Sequence, residues 1–387
     1  MQVVRSAAEI GAGYTVGTPY RKRIAAIVTE YRHNSHAEMI VGRLLGRFGY
    51  RSGLDVVSLY TDQTPSNDES REEAGKRGIP VFGTIRDTIC CAAERSGLDG
   101  IVIIGEHGDY PLDSLGRKRY PRRRFMDETL QTLDELNVRV PIFSDKFLAW
   151  RLDDSLWIYE QLRRRGIPFF GGSSIPHVET QPAYDRRLLG EAEEWLVISF
   201  SNEVEAYGYH ALELLQALAE RRNGGETGIA AITALRGEAV WEALERGRPN
   251  ELMRFAREAF RPEEVPHPQK LFPPVLFIVD YKDGCRGYVI QQNGLTERWR
   301  YLFRTGQDEF VSAACLSGQE RPFAHFDTFT RMAERFLLTG EEPIPSERIL
   351  YSSVLINRAM EALVHGSTIL TPELHFPYSP NPVRRLR

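Results

Sequence analysis

The chain has 387 residues, 42% hydrophobic and 26% charged, an ordinary globular balance but too long for one compact core, so two domains are expected. A formal net charge of −4 argues against a general nucleic-acid binder. No run approaches the roughly 18 apolar residues of a membrane span, so neither nucleic acid nor membrane is expected as a partner. The four cysteines (Cys90, Cys91, Cys285, Cys315) show no C-x-x-C spacing, which points to a reducing compartment and away from a zinc knuckle. The N-terminus carries no long apolar leader, and the chain reads as cytoplasmic.

Residues 1–20 read as an arm. A first core strand is expected over 23–28, then the loop TEYRHNSH and a helix over about 37–48. A second strand over 54–60 ends on Thr61 and Asp62. A polar loop, a short helix and a small strand over 79–82 follow, then a helix over 84–95. The unbroken apolar run 99–104 is a buried strand opening into Gly105-Glu-His-Gly-Asp-Tyr-Pro111. Strands alternating with helices make a doubly wound parallel sheet.

The next strand is the most informative. A short apolar run from Val138 to Phe143 ends in Ser144, Asp145 and Lys146, and a helical pattern over 153–165 follows. In open α/β sheets ligands sit at the carboxyl edges of the strands, and a desolvated ammonium is costly without a partner. Lys146 is therefore a candidate functional residue. A strand over 167–170, closed by Gly171-Gly172, completes this half.

Beyond residue 172 the rhythm changes. A strand is expected over 195–200 and a helix over 209–221. Three antiparallel strands follow over 230–235, 275–281 and 287–292, the last two joined by the hairpin signal Lys282-Asp-Gly284. Helices over 324–339 and 347–365 are expected to cap that sheet. The resulting fold class is α/β, with an N-terminal Rossmann-like doubly wound parallel sheet and a C-terminal α+β domain with an open, largely antiparallel sheet. The expected divisions are an arm at 1–20, a nucleotide-binding domain at 21–172, a substrate and oligomerisation domain at 173–372 and a tail at 373–387.

The segments SHAE at 35–38, GEHGDYP at 105–111, YPRRRF at 120–125, SDKFL at 144–148 and YGYHALE at 207–213 carry a resemblance. Together with an acid ending the second strand and a lysine after the fifth, they make residues 22–372 resemble the Gfo/Idh/MocA oxidoreductases, in a divergent bacterial branch. Those are two-domain enzymes acting mostly on sugars and polyols with NAD or NADP. The resemblance implies a small-molecule substrate and a homodimer or homotetramer built through the second-domain sheet. The family's E-K-P motif stands here as Asp145-Lys146-Phe147, and its D-x-G-x-H as Ala206-Tyr-Gly208-Tyr-His210. Lys146 and His210 thereby inherit the proton-handling role, with Asp145 beside them.

The resemblance further implies cofactor contacts from Asp62, Arg32, Glu106, His107 and Lys146, and substrate contacts from His177, Glu179 and Tyr207. One part of the pattern departs: the three glycines of G-x-G-x-x-G fall on Val28, Glu30 and His33. Those glycines let backbone N–H groups approach a pyrophosphate.

Three readings follow. The first is an NAD(P)-linked oxidoreductase in which histidine accepts the hydroxyl proton and lysine supports the charge. The second is a lyase, isomerase or hydrolase using the same pair, aided by a divalent metal near Glu106, His107 and Asp109, with His33 and His36; the metal is the less favoured reading. The third is a non-catalytic ligand-binding protein. The basic run 117–124 suits either a solvated loop paired with acids, or an anionic ligand or subunit contact.

Overall fold

The computed structural model describes residues 21–259, 273–318 and 320–380; the expected arm and the last seven residues of the tail lie outside them. The first sheet contains β1 (Lys22–Val28), β2 (Leu54–Thr61), β3 (Val81–Phe82), β4 (Gly100–Ile104), β5 (Ile142–Asp145) and β6 (Phe169–Gly172). All six are parallel, in the order β3-β2-β1-β4-β5-β6. The chain order reverses at β1, so β1 and β4 flank the crevice in which doubly wound sheets hold their ligands. The cause is visible in the sequence. Apolar runs buried on both faces, such as Ile24 to Val28 and Ile101 to Ile104, need helices on both sides. Those are α1 (His36–Leu44), α2 (Ser70–Gly75), α3 (Ile85–Ser96), α4 (Arg122–Glu135) and α5 (Leu152–Arg164).

The second sheet has eight strands: β7 (Thr180–Gln181), β8 (Ala192–Ser199), β9 (Ile229–Arg236), β10 (Val275–Tyr281), β11 (Arg286–Gln291), β12 (Arg300–Thr305), β13 (Phe310–Cys315) and β14 (Thr368–Leu370). Its order is β14-β9-β10-β11-β8-β12-β13-β7, antiparallel except for the β11–β8 pair. The β10–β11 hairpin closes at the expected turn, with Asp280 opposite Arg286. On one face lie α6 (Val204–Ala219) and α10 (Ser346–His365). On the other, α7 (Glu238–Arg246) and α8 (Arg248–Ala259) bury Leu196, Ile198, Leu276 and Leu302 with Leu244, Leu252 and Met253. That face of the sheet is therefore covered in part by the chain's own helices.

Four expectations need correction. The lysine strand is shorter than expected and starts at Ile142, after Pro141; Asp145 belongs to it, paired with Gly172. The basic run leads directly into α4, whose Phe125, Met126, Leu130 and Leu133 are buried at helical spacing. Helix α6 begins five residues earlier than expected, so His210 sits in its second turn. Helix α9 (His325–Thr339) does not cap the second sheet. It packs on α1, β5 and β6 of the first, where Phe329 meets Phe143 and Phe170 with ring centroids 5.4 Å apart in each case. No helix among the described residues is long and apolar enough to cross a membrane.

Candidate active site

The carboxyl ends of β4 and β5 each carry a non-glycine residue with left-handed backbone, His107 (φ 69°) and Lys146 (φ 56°). Such conformations are uncommon and cluster at functional sites. Lys146 is held in place by β6: its N–H donates to Gly172 O at 2.8 Å, and Gly172 N–H donates back at 3.2 Å. Its ammonium, on a side chain 6% exposed, donates to Glu106 Oε1 at 2.7 Å. Glu106, 4% exposed at its side chain, also takes Arg122 Nη2 at 3.1 Å. Burial alone would raise the Glu106 pKa, but the Lys146 and Arg122 charges outweigh it and hold the carboxyl well below the usual carboxylate range.

Asp145 does not face the crevice. Its Oδ1 accepts from Gly105 N–H at 3.1 Å and its Oδ2 meets His36 Nδ1 at 2.8 Å. It orients an imidazole instead of meeting a ligand. His210 Nδ1 lies 2.6 Å from Ser173 Oγ, and His325 Nδ1 lies 3.0 Å from Gly318 O. His107 Nδ1 accepts from His36 N–H at 3.3 Å. Four histidines thus have Nδ1 engaged while lining one cavity of about 530 Å³ with Lys146, Tyr207 and Trp299. Burial, followed by neighbouring cationic groups, holds His107 and His210 well below the ordinary imidazole value, and burial pushes His325 down to about 4. These three rings are neutral at pH 7.

A second buried layer sets His210. Ser173 N–H donates to Glu213 Oε2 at 2.9 Å and Tyr209 O–H donates to the same oxygen at 2.5 Å. Burial is the main cause that pushes the Glu213 carboxyl up to about 7. A raised carboxyl keeps its proton in the fold where the unfolded chain has lost it. Its stabilisation is therefore complete below about pH 4.5 and lost as pH rises towards 7. Glu213→Gln is expected to match the parent near pH 4 and exceed it near pH 8 by on the order of 3 kcal/mol. Urea titrations at the two pH values measure this; equal stability at both would refute it.

The structure distributes the remaining expected contacts unevenly. Arg32, Glu106, His107 and Tyr207 line the cavity, and Tyr207 stacks on Trp299 with centroids 5.6 Å apart. His177 and Glu179 do not line it. His177 stacks on Phe329 between the two halves and Glu179 is exposed. Asp62 takes Tyr60 O–H at 2.5 Å, Tyr110 O–H at 2.7 Å and the Arg124 guanidinium. A ribose there would have to share a carboxylate with three donors.

The turn between β1 and α1 differs most from a dinucleotide cradle. Ser35 caps α1 by accepting from Glu38 N–H at 3.2 Å, and the Glu38 carboxylate reaches back to Asn34 N–H at 2.8 Å, a variant of the capping box. Fully buried Glu38 is then paired with Arg47 at 2.9 Å and with Arg321. Arg43 donates to Pro322 O and Phe323 O. The helix N-terminus that would attract a phosphate already holds a carboxylate under a strap from the second half. Glu30, buried in the same turn, pairs with Arg32 at 2.6 Å.

Among the described residues, His33, Glu38 and Glu69 are the one set with three ligand atoms mutually within 4.8 Å. Guanidinium groups occupy a cation's place there, with Arg47 on Glu38 and Glu69 and Arg321 on Glu38 and His33. The expected set of Glu106, His107, Asp109, His33 and His36 does not converge: Glu106 is committed to Lys146 and Arg122, and Asp109 is exposed. The basic run is largely spent on partners within the chain. Arg117 pairs with Asp113, Arg122 with Glu106, Arg123 with Asp154 and Arg124 with Asp62.

No family model matches this sequence, and no curated protein matches it. Its fold is nevertheless similar to solved proteins, inositol dehydrogenases among them, along nearly their whole lengths. GenD2 from gentamicin A biosynthesis, in complex with NAD, is 12% identical, with 96% of this chain and 99% of that chain covered and a TM-score of 0.57. A scyllo-inositol dehydrogenase from Lactobacillus casei is 12% identical over 90% and 98%, with a TM-score of 0.58. A myo-inositol dehydrogenase from Corynebacterium glutamicum is 12% identical over 91% and 99%, with a TM-score of 0.57. The chain has the fold of these enzymes.

Proposed function

We propose that this protein is an enzyme of the Gfo/Idh/MocA oxidoreductase type, acting on a sugar, polyol or related hydroxy compound, with Lys146 and His210 as its proton-handling pair. The observation that carries the reading is their convergence. A buried ammonium fixed by Glu106 and a neutral imidazole fixed by Ser173 line one cavity at the carboxyl ends of β4 and β5.

The chemistry follows from the charges. In the tautomer whose Nδ1–H donates to Ser173, His210 presents its Nε2 lone pair and accepts the proton of a substrate hydroxyl. Lys146 stabilises the oxyanion that forms, in a site where low dielectric strengthens the attraction. Asp145 keeps the His36 imidazole oriented. Tyr207 and Trp299, stacked on each other, line the cavity with aromatic surface for the C–H side of a polyhydroxylated ring.

A nicotinamide dinucleotide would supply the hydride acceptor, as the NAD-bound neighbour supports. The β1–α1 turn does not fit one held in the usual way, because the Glu38 carboxylate and Arg321 occupy the helix N-terminus and Asp62 already takes three donors. That observation favours a second reading, a lyase or isomerase in which the same pair moves a proton without hydride transfer.

Titration with NAD(H) and NADP(H), followed by a polyol and sugar panel, separates the two. Low-micromolar dinucleotide binding with turnover supports the oxidoreductase; proton exchange or elimination without dinucleotide supports the second reading. Lys146→Met and His210→Gln are each expected to lower kcat by about 10²–10⁴-fold while the protein stays folded. Full activity in both variants would overturn the assignment.

A further inference from the structure

Past Lys118 and Tyr120 lies a second cavity, of about 760 Å³. It shares Glu106, Lys118, Tyr120, Glu203 and Ala206 with the first, so the two cavities adjoin along these side chains. Their linings differ. The first presents imidazoles and an ammonium; the second adds Leu115, Phe147, Met360 and Leu363. At its rim stand Leu112, 60% exposed, and Val364, 55% exposed, two of the four large hydrophobic side chains exposed among the described residues. Single exposed hydrophobics need no explanation; these two line the same cavity and give it an apolar edge.

Two further features make this a built site. Its outer wall is braced: Leu112 bridges Lys118, and Asp113 accepts from Leu115 N–H at 2.9 Å and from Arg117 N–H at 2.8 Å while pairing with the Arg117 guanidinium. In the lining, Glu205 is 7% exposed. Its Oε2 accepts from Lys118 N–H at 2.8 Å, and its Oε1 has no hydrogen-bond partner among the described residues. A buried polar atom left unpaired is expensive; Glu205 lines the cavity, and a turn of its side chain would bring this oxygen to a ligand oxygen there. Burial pushes this carboxyl up to about 7, so it holds a proton to donate near neutrality.

We propose that the ligand has two parts, a polyhydroxylated head in the crevice and an aryl or alkyl tail in the second cavity, with Glu205 hydrogen-bonding the oxygen that joins them. That is the chemistry of a glycoside or similar sugar conjugate and not of a free sugar or polyol. The head rests on the function proposed above; the tail rests on the second cavity alone.

The test compares methyl and phenyl glycosides of the common hexoses, with phenol as control, binding to the full chain by calorimetry and saturation-transfer NMR. At least one phenyl glycoside is expected to bind about tenfold tighter than its methyl counterpart. Leu112→Asp and Val364→Asp, both at exposed positions, are expected to erase that difference and leave methyl glycoside affinity unchanged. Equal affinity of methyl and phenyl forms, or a preference that survives both substitutions, overturns the tail. Phenol binding as tightly as every phenyl glycoside, with no methyl glycoside bound, overturns the head and with it the sugar substrate.

Discussion

Glu106→Gln is expected to cost about 3–5 kcal/mol of folding stability, because it removes the carboxylate shared by two buried cations and leaves Arg122 only the more distant Asp145 carboxylate, at 3.8 Å. In the parent, the carboxylate takes Lys146 at 2.7 Å and Arg122 at 3.1 Å. The amide keeps the shape but leaves an ammonium and a guanidinium facing each other in a dry site. Urea unfolding followed by tryptophan fluorescence measures the loss. A second substitution, Lys146→Met in the Glu106→Gln background, is expected to recover part of it, so the two changes couple strongly and do not add.

The pH dependence has a definite sign. With its folded pKa held below the ordinary carboxylate range, Glu106 contributes stability that is present above about pH 4.5 and is lost only as the solution becomes more acidic than that. The penalty of Glu106→Gln should therefore persist at about pH 5 and shrink below it. A loss under 1 kcal/mol at neutral pH would mean that water reaches all three groups and that the site is not desolvated.

Lys146, His210 and Arg122 show what the sequence could and could not tell. Lys146 was legible because a charged residue closing a buried apolar run has few structural uses, although the strand before it is shorter and begins later than the apolar run suggested. His210 was legible through its spacing in YGYHALE. Arg122 was not: within RKRYPRRR nothing distinguishes the guanidinium that turns inward to Glu106 from those that pair near the surface, since the helical period of Phe125, Met126, Leu130 and Leu133 lies downstream of it.

His325 and Ser173 were missed for another reason. Their roles depend on contacts across long sequence separations, His210 with Ser173 and α9 with the first sheet, which local periodicity does not encode. The missing glycines were visible. That the Glu38 carboxylate would occupy the helix N-terminus was signalled only by the capping-box spacing of Ser35 and Glu38, and that Arg321 would close over it was not signalled at all. His177 and Glu179 were drawn towards the pocket by family position, whereas the local chain sends one into the packing beneath α9 and the other to the surface.

The second large effect belongs to a residue with no side chain. Gly171→Ala is expected to destabilise the protein by about 3 kcal/mol or more and to abolish ligand binding in the crevice. A Cβ at Gly171 would lie 2.1 Å from Ser144 O. That contact is with backbone, so no rotamer change relieves it, and β5 and β6 must part where Ser144 faces Gly171. One residue further on, the Lys146–Gly172 bridge fixes the left-handed lysine. Parting the strands therefore moves the ammonium away from Glu106 as well as opening the core.

Gly75, at the end of α2, is the matched control. An added Cβ there meets nothing within 4 Å, and Gly75→Ala is expected to be neutral or to stabilise by about 0.5–1 kcal/mol. Thermal and urea unfolding of the two variants side by side reads both effects. If Gly171→Ala unfolds like Gly75→Ala and keeps its activity, β5 and β6 are not held at this separation. The placement of Lys146 by its neighbouring strand, on which the proposed chemistry rests, would then be wrong.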